Sequence, residues 1–177
     1  MKKLFLFMLA TSISIASLAQ TKWTTDPAHS FVNFSVKHSG ISFVDGSFKK
    51  FDGTIEASKA DLTDAKINFT VDVASINTSV EMRDNHLKSD DFFSATKYPT
   101  MTFVSSSMKK VKGNVYTLSG KLTIKDVTKD VKFNVNYGGT AKDQQGNTKA
   151  GFSITGKVSR KEFGLTWSAV TEAGSVV

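Results

Sequence analysis

The stretch KINFTVDVASINTSVEMRDNHLKSDDFF, residues 66–93, carries two structural signals in succession. Ile67, Phe69, Val71 and Val73 alternate with Lys66, Asn68, Thr70 and Asp72, the pattern of a strand with one dry face and one wet face. After Val73 the alternation breaks. Asn77, Thr78 or Ser79 is placed to cap a short helix over residues 81–87, and Ser89 to cap a further turn before Asp90 and Asp91. Acidic residues early in such a turn are favoured by the positive helix end. The chain is therefore expected to leave a strand at a rim and to cross that rim in a short helical segment near residues 79–93. Phe92 and Phe93 then either plug the core at that end or line the mouth of a cavity.

The same alternation recurs outward from this stretch. It is present in Val32, Phe34 and Val36, in Tyr116, Leu118, Leu122 and Ile124, in Val131, Phe133, Val135 and Tyr137, and in Phe152, Ile154 and Val158. Less regular candidates lie at residues 46–57, 100–108 and 165–170, giving about eight strands. Lys112-Gly113-Asn114, Lys125-Asp126-Val127-Thr128 and Gln145-Gly146-Asn147 read as turns too short for parallel crossovers, so the sheet is antiparallel. One dry face per strand has to be hidden, against a second sheet or by closure. Parity leaves both open, and closure has the advantage of removing exposed edges.

Residues 1–19 are set apart from the fold. Lys2 and Lys3 precede an apolar run at 4–15 and then Ser17-Leu18-Ala19, the pattern of a secretory signal, which leaves residues 20–177 as one expected domain. Without that segment the chain has 21 basic and 16 acidic side chains, a net charge of +5. It has no cysteine, so neither disulfides nor a lipid-modified Cys contribute. The basic residues are spread out and export separates the protein from nucleic acid, which is excluded as a partner. Weak attraction to anionic membrane surfaces stays open.

Asp26-Pro27-Ala28-His29-Ser30, Phe51-Asp52-Gly53, Ser75-Ile76-Asn77-Thr78, Arg83-Asp84-Asn85-His86-Leu87, Asp90-Asp91-Phe92-Phe93, Tyr98-Pro99, Gly120-Lys121-Leu122-Thr123-Ile124-Lys125 and Arg160-Lys161-Glu162-Phe163-Gly164-Leu165 follow one another along the chain. In this order and spacing they resemble the successive motifs of the YceI-like family. The resemblance implies an all-β, antiparallel, eight-stranded lipocalin-like barrel that is exported and holds a polyisoprenoid, a quinone-like or fatty-acyl chain or another long-chain amphiphile. It implies no cofactor and no catalytic reaction. It places the protein in the periplasm, or in the medium where there is no outer membrane, and leaves a homodimer open. Two departures stand out: Asp126 replaces the usual Gly after the Leu-Thr-Ile-Lys segment, and the chain ends at Val177 where members usually continue through a further apolar strand. Either the chain is a fragment, or its last strand is truncated and its barrel closes less completely than that of its relatives, with an open seam.

On this reading the ligand wall is expected from Phe34, Val36, Phe69, Val71, Leu87, Phe92, Phe93, Phe103, Leu118, Gly120, Leu122, Phe133, Val135, Phe152, Ile154, Gly156, Phe163 and Trp167. Gly120 shares the face of Leu118 and Leu122, and Gly156 that of Ile154 and Val158; they either permit curvature or also leave room for a chain. Arg83, Asp84 and His86 form the best polar cluster, read as a solvated helix face or as head-group contacts. His29 and His38 are expected in structural roles, His38 on the dry face of the Val32 strand. No ligand-type histidine spacing or nucleophile elbow is present, so an enzyme ranks below two alternatives, a lipid carrier and an interaction barrel with a packed interior.

Overall fold

Alternation at residues 66–72 becomes a strand whose Ile67 and Val71 are buried while Lys66, Asn68 and Thr70 face water. The computed structural model describes residues 20–167, and within them the pattern repeats. The strands are β1 (Thr21–Thr24), β2 (Val32–His38), β3 (Ser42–Phe48), β4 (Phe51–Ala57), β5 (Lys66–Asp72), β6 (Ile76–Asn77), β7 (Thr100–Lys112), β8 (Val115–Ile124), β9 (Val127–Lys142) and β10 (Thr148–Thr155). Eight of them have seven residues or more; β1 and β6 are short additions that alternation does not reveal. The expected strand at 165–170 is absent over 165–167, and its remainder lies outside the described residues.

All pairings are antiparallel, in a seven-stranded sheet ordered β1-β4-β5-β7-β8-β9-β10 and a three-stranded sheet ordered β2-β3-β6. Together they make a nearly closed barrel with one short helix. Among the described residues β1 and β10 of the larger sheet and β2 and β6 of the smaller are each paired on one side only. The hairpin turns fall where expected, with Gly113 and Lys125 in the left-handed region at φ 51° and 57°. Asp126, in the second of these turns, accepts a hydrogen bond from the Tyr98 hydroxyl at 3.0 Å, so the residue in the place of the usual Gly has a partner of its own.

The break after Val73 is a single 3₁₀ turn (Val73–Ser75), then β6 and helix α1 (Glu81–Lys88). The helix N-cap is Val80, without a side-chain bond, rather than Asn77, Thr78 or Ser79. Those three residues are used differently. Asn77 accepts from the Ser79 amide at 3.2 Å, and Thr78 binds Asp84 in the first turn of α1. Ser89 closes the helix by donating to the His86 carbonyl at 2.8 Å, and the Phe93 amide donates to the Leu87 carbonyl at 3.1 Å. The second return folds the chain back so that the two phenylalanines lie beneath the helix.

Two buried clusters form the core. One gathers Ile67, Phe103, Met108, Tyr116, Leu118 and Val135 under the β7–β8 ribbon; the other gathers Phe48, Val73, Ile76, Met101, Phe163 and Leu165, with Leu87, Phe92 and Phe93 packed against it. Phe69, Leu122 and Val131 touch both.

Candidate functional site

Inside the barrel is a cavity of ≈ 2870 Å³. Every strand contributes to its wall: β5 and β8 do so through the dry face that alternation marked, whereas the edge strands β2 and β10 line it with consecutive residues of both faces. Phe34 and Val36 come from β2, Phe69 and Val71 from β5, Phe103 from β7, Leu118 and Leu122 from β8, Phe133 from β9, and Phe152 and Ile154 from β10. At the rim Leu87, Phe92, Phe93 and Trp167 join them, with Gly156 beyond the end of β10. The expectation that Phe92 and Phe93 face inward is met: both are half-buried, and the Phe93 ring meets Phe48 edge-on at 6.1 Å between centroids.

Three expected wall residues lie elsewhere. Val135 and Phe163 are each only 1% exposed and pack into the two core clusters. Gly120 is also away from the cavity, because a Cβ there would collide with the Val104 carbonyl and the Phe103 ring. Gly156 does line the cavity, but the space a side chain would take is filled by the Phe133 ring. The two glycines thus make room for neighbouring phenylalanines, not for a ligand. Gly53 under Phe69 and Gly46 under Phe34 repeat the arrangement, each directly opposite its ring across a strand pair. A glycine inside a strand lets two backbones approach and marks a place where the strand can bend.

The polar cluster divides. Asp84 is buried and turned away from the cavity, accepting from the Thr78 amide at 2.8 Å and the Thr78 hydroxyl at 2.7 Å. It pins the loop that enters α1 and is no head-group contact. Arg83 and His86 do line the cavity. The Arg83 Nε donates to Thr78 Oγ1 at 2.7 Å and Nη2 to the Thr78 carbonyl at 2.9 Å. His86 lies 3.1 Å from Asp91 and meets Phe92 and Trp167 edge-on at 5.0 and 4.8 Å. Arg160 holds the segment that carries Trp167, donating to the carbonyls of Leu165 and Trp167, both at 2.7 Å.

The other histidines are exposed. His38 ends β2 in solvent and not on a buried face, because the last four residues of that strand run out beyond the core. His29 lies 3.2 Å from Asp26, which also accepts from Lys149 of β10 at 3.0 Å. Lys149 first and His29 second hold the Asp26 carboxyl down at about 2. No sequence signal announces this link, which joins residues 123 apart. Ile55 and Met101 also line the cavity. Their place on the wall was legible only once strand register was known, because their segments alternate poorly. Among the described residues no three His, Cys, Asp or Glu side chains come together as a metal site.

A nearly closed antiparallel barrel around a largely apolar cavity defines a class of binding barrels. Residues 23–177 match the model of the YceI-like domain, and the chain belongs to that family. The UPF0312 protein of Pectobacterium atrosepticum is 38% identical over 159 residues, covering 90% of this chain and 82% of its own. The protein YceI of Shigella flexneri is 38% identical over 157 residues, covering 89% and 82%. Among solved structures, the Campylobacter jejuni YceI protein is similar with a TM-score of 0.64 at 40% identity, over 80% of this chain and 83% of its own. Burkholderia cenocepacia BcnA gives 0.68 at 29% identity, over 84% and 87%.

Proposed function

We propose that this chain is an exported carrier or binding protein for a long-chain amphiphilic lipid, a polyisoprenoid, quinone-like or fatty-acyl chain, with its tail inside the barrel. The observation that carries this reading is the cavity of ≈ 2870 Å³ with phenylalanines from seven strands and the helical rim on its wall. Ordinary small-molecule pockets measure about 300–1,000 Å³. An interior packed solid with side chains is the rival this observation disfavours. Several wall residues, Phe34, Phe69, Phe92, Phe93 and Phe133 among them, are only half-buried, so apolar surface is still available for a ligand to cover. Burying about ten chain carbons at ~0.8 kcal/mol each contributes about 8 kcal/mol, near micromolar affinity before ordering costs. The leader-like residues 1–19 support action outside the cytoplasm, in the periplasm or the medium, where such a chain needs shielding from water.

Native mass spectrometry of gently purified protein, followed by solvent extraction, tests this. The expected result is a stoichiometric adduct that yields a long-chain lipid on extraction. Protein that is repeatedly lipid-free, and that takes up no lipid when reconstituted, would return the weight to an interaction barrel.

A further inference from the structure

The carrier reading leaves the head group open, and the rim supplies a way to choose it. Arg83 uses one edge of its guanidinium, Nε and Nη2, to grip the Thr78 hydroxyl and carbonyl. Both acceptors are neutral. The Thr78 hydroxyl in turn donates a hydrogen bond to Asp84, so that carboxylate is already engaged by Thr78 and is itself buried. Among the described residues no Asp or Glu oxygen lies within 4.0 Å of Arg83. Among the described residues the second edge, one N–H of Nη1 parallel to the remaining N–H of Nη2, has no partner, and the side chain lines the cavity.

An arginine cannot lose its proton, and a half-buried guanidinium beside an apolar wall is poorly solvated. Its open edge presents two parallel donors, the geometry that an oxyanion accepts as a pair. The cavity lining as a whole has the same sign. Lys37, Lys157 and Lys161 line the cavity with no carboxylate within 4.0 Å among the described residues, while the acidic lining residues Asp26 and Asp143 are both within reach of Lys149. Leu87, one turn along α1 from Arg83, lines the cavity and packs with Phe92 and Phe93 on the same core cluster, so a head group at Arg83 directs its chain onto that aromatic wall.

We propose that the open edge of Arg83 is the head-group site and that the ligand is a long-chain amphiphile ending in an acidic oxyanion, a carboxylate or a phosphate ester. This rests on the carrier reading and narrows it, because a neutral alcohol or quinone head leaves the guanidinium desolvated without a counter-charge.

The test is competition against an apolar fluorescent probe in the delipidated full chain at pH 8, using hexadecanoic acid, hexadecyl phosphate and hexadecanol. Acetate and inorganic phosphate serve as anions without a chain. The native protein should prefer the acid or the phosphate over the alcohol by about tenfold or more, the range of a hydrogen-bonded charge pair. In Arg83→Gln that ratio should fall to within about twofold, and in Arg83→Lys it should fall part of the way. Equal binding of acid, phosphate and alcohol overturns the Arg83 site and leaves the carrier reading standing. Failure of all three chains to bind overturns both. Displacement by acetate or inorganic phosphate as strong as by the chains makes this a small-anion site and also overturns the proposal. The ratio in the native protein needs no variant, so a misfolded variant does not protect the idea.

Discussion

Single side chains at the rim are committed to one another to different degrees, and this sets what their loss does. Asp84 is 7% exposed and takes both the amide and the hydroxyl of Thr78. Asp84→Ala leaves two buried donors unmet and removes the anchor of α1, at a cost of about 2–4 kcal/mol. Urea denaturation is expected to show an earlier midpoint at an unchanged slope. Asp26 is solvent-facing by contrast, and its link to Lys149 is visible in titration. Its pKa is depressed from 3.8 to about 2, so its contribution is present above about pH 4 and is lost as the pH falls through about 2. An NMR titration of the Asp26 carboxyl should give a midpoint near 2, and Lys149→Met should move it up towards the ordinary value. A midpoint that ignores the substitution would mean that the contact between β10 and the segment before β2 does not persist in solution.

Elements were legible where one force decided them. Burial of one face decides a strand, so β2, β5, β8, β9 and β10 could be read from Phe34, Phe69, Leu118, Phe133 and Phe152 and their neighbours. The helix was legible as the failure of that pattern. Its cap was not, because Asn77, Thr78 and Ser79 are all capping residue types in isolation, whereas the cap is Val80 and Thr78 is taken up by Asp84. The two readings of the glycines, curvature or room for a chain, stayed open for a related reason. Parity puts Gly120 and Gly156 on the dry face, but it cannot show that rings from neighbouring strands lie over them. That difference predicts two unlike mutants. In Gly120→Ala the new methyl meets the Val104 carbonyl, backbone that the β7–β8 ladder holds in place, and the protein should lose about 1–3 kcal/mol. In Gly156→Ala the new methyl meets chiefly the Phe133 ring, which has the cavity to move into. Stability should fall less than in Gly120→Ala and lipid content more, as read by denaturation and by extraction of the purified variants. The reverse order would mean that Phe133 has no freedom towards the interior.

At the scale of the whole molecule, the cavity is the part of the core that the chain does not complete. The two buried clusters share Phe69, Leu122 and Val131, and Phe69 and Leu122 are also on the cavity wall. A hydrocarbon tail lying against them would extend both clusters and act as a removable third one. The dry faces are legible in the sequence, but whether they fill one another or leave a hollow depends on barrel curvature and on how strand register sets rings over glycines, neither of which parity shows. The thermodynamic consequence is linkage: a ligand that binds only the folded barrel stabilises it by about 2.7 kcal/mol at a free concentration of about 100 times Kd. For a chain of this size that corresponds to a rise in Tm of roughly 5–11 °C. Calorimetry of the delipidated protein should therefore show a lower and broader transition than the same protein refilled with its extracted lipid. Refilling should also reduce binding of an apolar dye, because the half-buried rings of Phe34, Phe69 and Phe93 become covered. If the lipid raises Tm while dye binding stays the same, it is stabilising the barrel from outside, and the two clusters meet without it.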